Sequence, residues 1–298
     1  MTGQAAALRV MTFNLRTAIA NDGPNHWDRR KDLALQVIRS DDPDLLGVQE
    51  PTAGQWNELR AAFGGGRTAI GYSREDTLGR EPHWQGLFYR TDRFDRITDG
   101  VFWLSDTPRV PGSITWKQDW GARSCVWARL KDRTTGRDLV YAVVHTDTAG
   151  EAWLPSVKCL SAELRGIAGD LPLVLVGDFN CAGGCEAHRW ITGPGGFTDT
   201  WYAAGQADEG VVTFNAFHPI TALPLDNMPM LEKWMHDTCD AVPQFAHYPE
   251  HVLTHRNYRI DWILARGAIR TRAARVDLRT FSGRTPSDHY PILADLEI

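Results

Sequence analysis

LPLVLVGDFN, residues 171–180, is an apolar run that stops abruptly in polar residues. Such a run reads as a buried strand, because its side chains are apolar on both faces. After Gly177 the strand delivers a loop, and that loop opens with Asp178 and Asn180. Working outward, LRVMTFNL (8–15) reads as a first strand and RRKDLALQVIRSDDPDLLGVQE (29–50) as an amphipathic helix, an Asp-Pro breaker and a buried strand ending at Glu50. TAGQWNELRAAF has helical spacing, and HWQGLFYR (83–90) and DGVFWLS (99–105) are strand-like. SCVWARLKDRTTGRDLVYAVVHTD (124–147) is two alternating runs around a TTGR turn, which is a hairpin signal. LPSVKCLSAELRGIA (154–168) is helical, and VVTFNAF, RIDWILARG and PSDHYPILADLEI read as further strands. Strands thus run the whole length with helices between them. Two sheets packed face to face with helices outside would bury them.

The bulk numbers fit this layout. The chain has 298 residues, 43% hydrophobic and 23% charged, enough for a sizeable core. No repeat or long linker divides it, so we expect one domain over 1–298. The exception to regular patterning is about 216–257, rich in Pro and His, which is long enough to be a functional loop. The net charge of −5 gives no electrostatic reason to expect a duplex-binding protein. The five cysteines are irregularly spaced without a CxxC pair, and read as reduced thiols. With no signal-like N-terminus and no apolar run long enough to span a bilayer, a cytoplasmic location and no membrane partner are expected. Several of the twelve tryptophans (Trp84, Trp103, Trp116, Trp120, Trp127) fall in one stretch, suggesting a cleft or a thick core wall.

The candidate chemistry collects where apolar runs stop. Asn14 follows VMTF, Glu50 follows LLGVQ, His145 follows YAVV, and Asp178 and Asn180 follow LVLVG. Asp261 lies within YRIDWIL, and Asp288 and His289 precede YPIL. Any one of these reads singly as a capped strand end. Together they put carboxylates, carboxamides and imidazoles at many buried-strand termini. Glu50, Asp288 and Asn14 are hard oxygen donors, suited to Mg²⁺, with Mn²⁺ as the alternative, and poorly suited to zinc. His289 and Asp261 can form an imidazole–carboxylate pair. Asp178 can orient or deprotonate a water, and Asn180 and His145 can donate hydrogen bonds to oxygens that gain charge. A hard metal, an activated water and donors to an oxyanion describe hydrolysis of a phosphate ester.

TFN, QE, HTD, GDFN, TF, RIDWIL and SDH, in this order, resemble the endonuclease/exonuclease/phosphatase superfamily, the DNase I-like fold. WDRRKD (27–32), FWLSDTP (102–108), PGS (111–113) and ARSCVW (122–127) extend the resemblance to a bacterial subgroup of metal-dependent hydrolases. The resemblance implies an α/β fold, a four-layer α/β/β/α sandwich of two mixed sheets flanked by helices, with the site at one end of the sheets. It implies Glu50 as main metal ligand, helped by Asn14 and Asp288, and one Mg²⁺. Asp178 and His289 would handle the water, with the base left open between them. Asp261 would orient His289, and Asn180 and His145 would hold the phosphate. Two positions depart from the pattern. Val143 stands where the family often has Asn, two residues before His145, and the 216–257 segment replaces a usually short link.

Other residues carry competing readings. Arg123 precedes a strand and could match a phosphate in bidentate fashion, or be a surface arginine. His247, His251 and His255 share helical spacing, but Pro249 argues against a regular helix, and loop histidines are favoured over a zinc site. The favoured function is a Mg²⁺-dependent phosphoesterase acting on a small or medium-sized phosphorylated molecule. A nuclease or other phosphodiesterase, with nucleic acid as substrate, is the alternative. A scaffold recruited for another reaction on a phosphorylated metabolite, or a non-catalytic binding protein, stands behind these.

Overall fold

The computed structural model describes residues 6–74, 82–208, 211–217 and 259–298. The strands are β1 (Ala7–Asn14), β2 (Leu45–Gln49), β3 (Arg67–Ser73), β4 (Trp84–Arg90), β5 (Phe94–Trp103), β6 (Ser124–Asp132), β7 (Asp138–His145), β8 (Leu173–Asp178), β9 (Thr198–Asp199), β10 (Asp261–Arg266), β11 (Arg270–Val276) and β12 (Ile292–Glu297). The helices are α1 (Lys31–Asp41), α2 (Ala53–Phe63), α3 (Gly150–Ala168), α4 (Glu186–Thr192) and the short α5 (Thr200–Ala203). One sheet runs β11-β12-β1-β2-β4-β3 and the other β5-β6-β7-β8-β10-β9. Each is mixed: β1 pairs parallel with β2, and β7 with β8, while their other neighbours are antiparallel.

Strand alternation explains the layers. Along β8, Val174 and Val176 join Val10, Leu45, Tyr141, Val143, Ile263 and Ile292 in a core between the sheets. Leu173 and Leu175 point the other way and pack with Val157, Leu160 and Leu164 of α3. Met11, Phe13, Leu46 and Val48 of the first sheet pack outward against Ala34 and Ile38 of α1 and Trp56 and Leu59 of α2. Three apolar layers thus separate helices, sheet, sheet and helices, which is the four-layer arrangement the resemblance implied.

Some expectations need correction. VVTFNAF is not a regular strand; its Phe214 forms an isolated bridge with His289. Tyr290 N–H on the Thr213 carbonyl and Asn215 N–H on the Asp288 carbonyl (both 2.6 Å) make that bridge, while toward β10 the Thr213 hydroxyl, rather than a backbone carbonyl, accepts the N–H groups of Ile260 and Asp261 (3.1 and 3.3 Å). Strands β3 and β11, the two edges of the first sheet, went unread because edge strands are half-exposed and lack a clean apolar face. The tryptophans do not share one cleft. Trp84 stacks on Trp56 at 6.0 Å on the α2 side, while Trp116 and Trp127 pack on the α3 side. Four cysteines, Cys125, Cys159, Cys181 and Cys185, are free thiols. Among the described residues no helix is long and apolar enough to cross a membrane. Apart from Ala216 and Phe217, the 216–257 segment and its histidines lie outside the described residues.

Gly177 shows how close the strands come just before the site. A Cβ added there would lie 2.0 Å from the Val144 carbonyl oxygen, a backbone atom that no rotamer change can move. Gly177→Ala should therefore lower stability by about 1–3 kcal/mol or more. Gly166→Ala, in α3 with nothing within 4 Å of the added carbon, should raise it by about 0.5–1 kcal/mol. Urea denaturation midpoints of the two variants measure the contrast.

Candidate active site

One rung of the second sheet carries three of the predicted residues. His145 of β7 pairs with Asp178 of β8, which pairs with Asp261 of β10. All three share the parity of Val143, Val176 and Ile263, so their side chains emerge on the face between the sheets. At this end the apolar interlayer core gives way to a polar one. The Asp178 Oδ2 is its centre. It accepts the Asn14 Nδ2–H at 2.9 Å and lies 3.5 Å from His145 Nε2 and 3.7 Å from His289 Nε2. The Asp178 Oδ1 accepts the Asn180 backbone N–H at 2.9 Å. Beyond it, Asn180 donates its side-chain amide to the Thr146 carbonyl at 2.8 Å, tying the GDFN loop to the HTD loop.

The first sheet supplies the facing acids, and here alternation alone misleads. Along β2 the residues facing inward are Leu45, Gly47 and Gln49, so Glu50 would be sent outward. Gln49 is indeed buried, exchanging hydrogen bonds with Thr12. A left-handed backbone at Glu50 (φ 69°) swings its carboxylate back, where Oε1 accepts Asn14 Nδ2–H at 3.1 Å and Oε2 accepts Thr17 N–H at 3.2 Å. Arg16 (φ 52°) and Asn180 (φ 50°) are also left-handed. Such conformations are uncommon outside glycine and persist where the surroundings over-determine them. For Arg16 those surroundings are explicit. Its N–H donates to Asn14 Oδ1 (2.9 Å), and its carbonyl accepts from Gln55 Nε2 (2.9 Å) and Arg30 Nη2 (3.0 Å). Gln55 is itself part of the Thr52 capping box that starts α2.

Asp288 lies on the same side, buried, with Arg16 Nε 3.5 Å from its Oδ2. Its backbone carbonyl accepts the N–H groups of Asn215 (2.6 Å) and Ala216 (3.1 Å). Ser287 anchors the turn by donating to the Asn14 carbonyl at 2.8 Å. Arg30, only 1% exposed, staples this corner. Its guanidinium donates to the carbonyls of Asn25, Pro286 and Arg16 and lies between the rings of Trp27 and Phe217. Asp261 Oδ2 meets His289 Nδ1 at 2.9 Å, the predicted pair. Arg123 is buried rather than a surface residue, and its Nε is 3.0 Å from Asp147 Oδ2. Arg16, Gln55, Ser287 and Arg30 were not singled out from sequence. Arg30 sits inside the WDRRKD motif, but nothing local marks it as buried.

Electrostatics separates the roles. Burial opposes a charged His289, but Asp261 and Asp178 overcome it and lift its pKa to about 10. Burial, and then the Asp261 charge, raise Asp178 to about 7. Burial also raises Asp288. His145 is driven well below its usual value by burial and then by Arg123. Burial works against the Glu50 carboxylate as well, yet the surrounding imidazoles, Arg16 and the Asn14 amide hold it below the ordinary range.

Half-buried Glu50 and buried Asp178 and Asp288 form a set of acids rich in hard oxygen, and this chemistry fits a divalent cation. Glu50, His145 and Asp178 present ligand atoms within 4.8 Å of one another. His145, expected from the sequence to contact the phosphate, therefore also lies among the groups placed to face an ion. Asn14 turns its amide nitrogen to both acids, with its oxygen on Arg16 N–H, and so works here as a bridging donor. Asp178, Asp261 and His289 also come within that distance, but there the imidazolium already balances the acids.

A family model described as the Endonuclease/Exonuclease/phosphatase family matches residues 11–289. An endonuclease/exonuclease/phosphatase family protein from Bacteroides thetaiotaomicron superposes with a TM-score of 0.79 at 26% identity, covering 100% of this chain and 97% of that one. The Bacteroides thetaiotaomicron VPI-5482 mannosyl-6-phosphatase gives 0.77 at 26%, with 97% and 99% covered. D. rerio TDP2 complexed with a single-strand DNA product gives 0.66 at 16%, with 98% and 99% covered, a likeness of fold alone. Two Acanthamoeba polyphaga mimivirus proteins, L388 and R895, match over 52% and 57% of this chain at 26% and 24% identity. The chain spans 59% and 30% of their respective lengths.

The His289 charge is directly testable. Because its folded pKa is raised, its stabilising contribution is complete below about pH 6.5 and is lost as pH rises through about 10. In Asp261→Asn the largest favouring anion is gone, so the midpoint should fall toward the ordinary histidine range. Imidazole nitrogen shifts followed by NMR from pH 5 to about 10.5 read the difference.

Proposed function

The chain belongs to the endonuclease/exonuclease/phosphatase family, and we propose that it is a divalent-metal-dependent phosphoesterase hydrolysing a small or medium-sized phosphorylated molecule. The observation that carries this reading is the division of labour around Asp178, with a raised carboxylate at the centre, an imidazolium on one side and buried acids on the other. Members of the family are hydrolases acting on phosphate esters.

Glu50 and Asp288 would hold Mg²⁺, or Mn²⁺ as the alternative, with the His145 imidazole close to Glu50 and Asn14 donating its amide to Glu50 and Asp178. When bound, the ion supplies Lewis-acid polarisation of the phosphate and offsets its charge. The remaining steps fall to side chains. His289 keeps its proton at neutral pH and so cannot accept one from water; Asp261 fixes Nδ1, leaving Nε2 to donate to a phosphoryl oxygen. Asp178, with a pKa near neutrality, then takes the water's proton. His145 at the end of β7 and Asn180 in the loop after β8 would contact the phosphate. The general base, open between Asp178 and His289 in the sequence, is thereby read as Asp178.

A small substrate is favoured by the net charge of −5, since a duplex nuclease needs many cationic phosphate contacts. The 26%-identical mannosyl-6-phosphatase is consistent with a small phosphorylated molecule.

Phosphate release from a panel of phosphorylated metabolites, scored beside oligonucleotide cleavage, should show Mg²⁺-dependent turnover that EDTA abolishes. Absence of turnover on every ester would overturn the reading. Glu50→Gln should weaken Mg²⁺ binding by at least ~10-fold in calorimetry, and Asp178→Asn should lower kcat by about 10²–10⁴-fold. The pH profile of kcat/KM should rise through an acid limb at or below about 7, as Asp178 loses its proton and becomes a base, and fall near about 10, as His289 loses its proton and can no longer donate.

A further inference from the structure

A group of basic side chains lies close to His145. Arg74 follows β3 and His83 precedes β4, and the two are joined by the Arg74 N–H donating to the His83 carbonyl at 3.1 Å. Arg123 precedes β6 and His145 ends β7. The two pairs belong to different sheets, and side chains draw them together. Gln85 of β4 donates to the Ser124 carbonyl and, at 3.4 Å, to the Val143 carbonyl. Trp103 Nε1 donates to the Arg74 carbonyl at 3.4 Å. Arg74, Arg123 and His145 are buried and His83 is half-buried.

Arg123 is the telling member. It is 3% exposed, and its Nε is engaged by Asp147. The Asp147 carboxylate also accepts the backbone N–H groups of Asp119, Trp120 and Ala149, so it is saturated with donors. Arg123 Nη1 is buried with no hydrogen-bond partner. A buried guanidinium nitrogen without an acceptor is costly, and is retained where an acceptor arrives from outside. Arg123, Arg74 and His83 all act on the His145 imidazole, and His83 acts on Glu50, so the group lies within electrostatic reach of the acids.

We propose that Arg123, backed by Arg74 and His83, forms a subsite for the additional anionic oxygen of a terminal phosphate monoester, and so selects monoesters over diesters. This rests on the phosphoesterase reading and adds the substrate class to it. A monoester carries about −1.5 to −2 charge at neutral pH and three acceptor oxygens. A diester offers one fewer anionic oxygen. Its second ester group would press a carbon substituent against the guanidinium wall and leave Nη1 unpaired. A site built to hydrogen-bond a group rejects the analogue that lacks it.

The test compares p-nitrophenyl phosphate with bis(p-nitrophenyl) phosphate in Mg²⁺, together with calorimetric binding of inorganic phosphate, for wild type, Arg123→Lys and His83→Gln. Lysine keeps a cation against Asp147 but loses the planar fork that carries Nη1. For Arg123→Lys the monoester-to-diester ratio of kcat/KM should fall about 10–100-fold, the strength of a charge-assisted hydrogen bond. Phosphate affinity should fall in step, and His83→Gln should shift both in the same direction. A wild type that prefers the diester, or variants that lower both substrates equally, would overturn the subsite while leaving a phosphoesterase. If neither aryl ester turns over, the metabolite panel decides the proposed function, and phosphate binding alone decides the subsite: binding lost in Arg123→Lys supports it, and binding equal to wild type or absent throughout rejects it. Should Arg123→Lys not fold, the His83→Gln ratio carries the same decision.

Discussion

Four carboxylates, Glu50, Asp178, Asp261 and Asp288, meet in the buried end of a β-sandwich. Like charges gathered out of water repel each other and lose hydration, so each must be offset or neutralised. The protein's own cations divide the work. His289 answers Asp261 and Asp178, while Arg16 lies between Asp22 and Asp288 and also bears on Glu50. The arrangement fits a divalent cation on the Glu50 side, and the Asp178 carboxyl, lifted to about 7, is the group left with the most to gain from it.

The fold sustains this concentration of charge through rigidity elsewhere. Strand pairing puts His145, Asp178 and Asp261 on one rung, so their lateral order is fixed by backbone hydrogen bonds rather than by loops. On the facing sheet, Asn14 ends β1 and Glu50 leaves β2 through a left-handed turn. The loops that bring Arg16 and Asp288 are fastened by buried side chains: Gln55 from α2, Arg30 between two rings, and Ser287 on the Asn14 carbonyl. Placing polar groups on rigid strand ends, with supporting hydrogen bonds behind them, is what a site needing sub-ångström precision requires.

Much of this was legible in the sequence because buried strands leave a strong signal. The apolar run 171–176 ending in Asp178 marked both the inner strand and the site at its end, and the same logic located Asn14, His145 and Asp261. Glu50 was found by its position at a run's end, although strand parity would have turned it away from the site; the left-handed φ that corrects this has no local signature. Edge strands β3 and β11 escaped because a half-exposed strand has no apolar face to read. Arg30 and Arg123 escaped as buried residues because their burial depends on partners far along the chain, Pro286 for one and Asp147 for the other. Thr213 was seen, but as part of a regular strand, since nothing nearby tells that its hydroxyl accepts the N–H groups of Ile260 and Asp261.

On this account the buried acids facing Asp178 bind one divalent cation and the His289–Asp261 pair does not. Anomalous diffraction from crystals equilibrated with Mn²⁺ tests this without reference to turnover. One peak on Glu50 and Asp288, with none between Asp261 and His289, is the result the account predicts. A peak seated on the Asp261–His289 pair, or no peak at millimolar Mn²⁺, would contradict it.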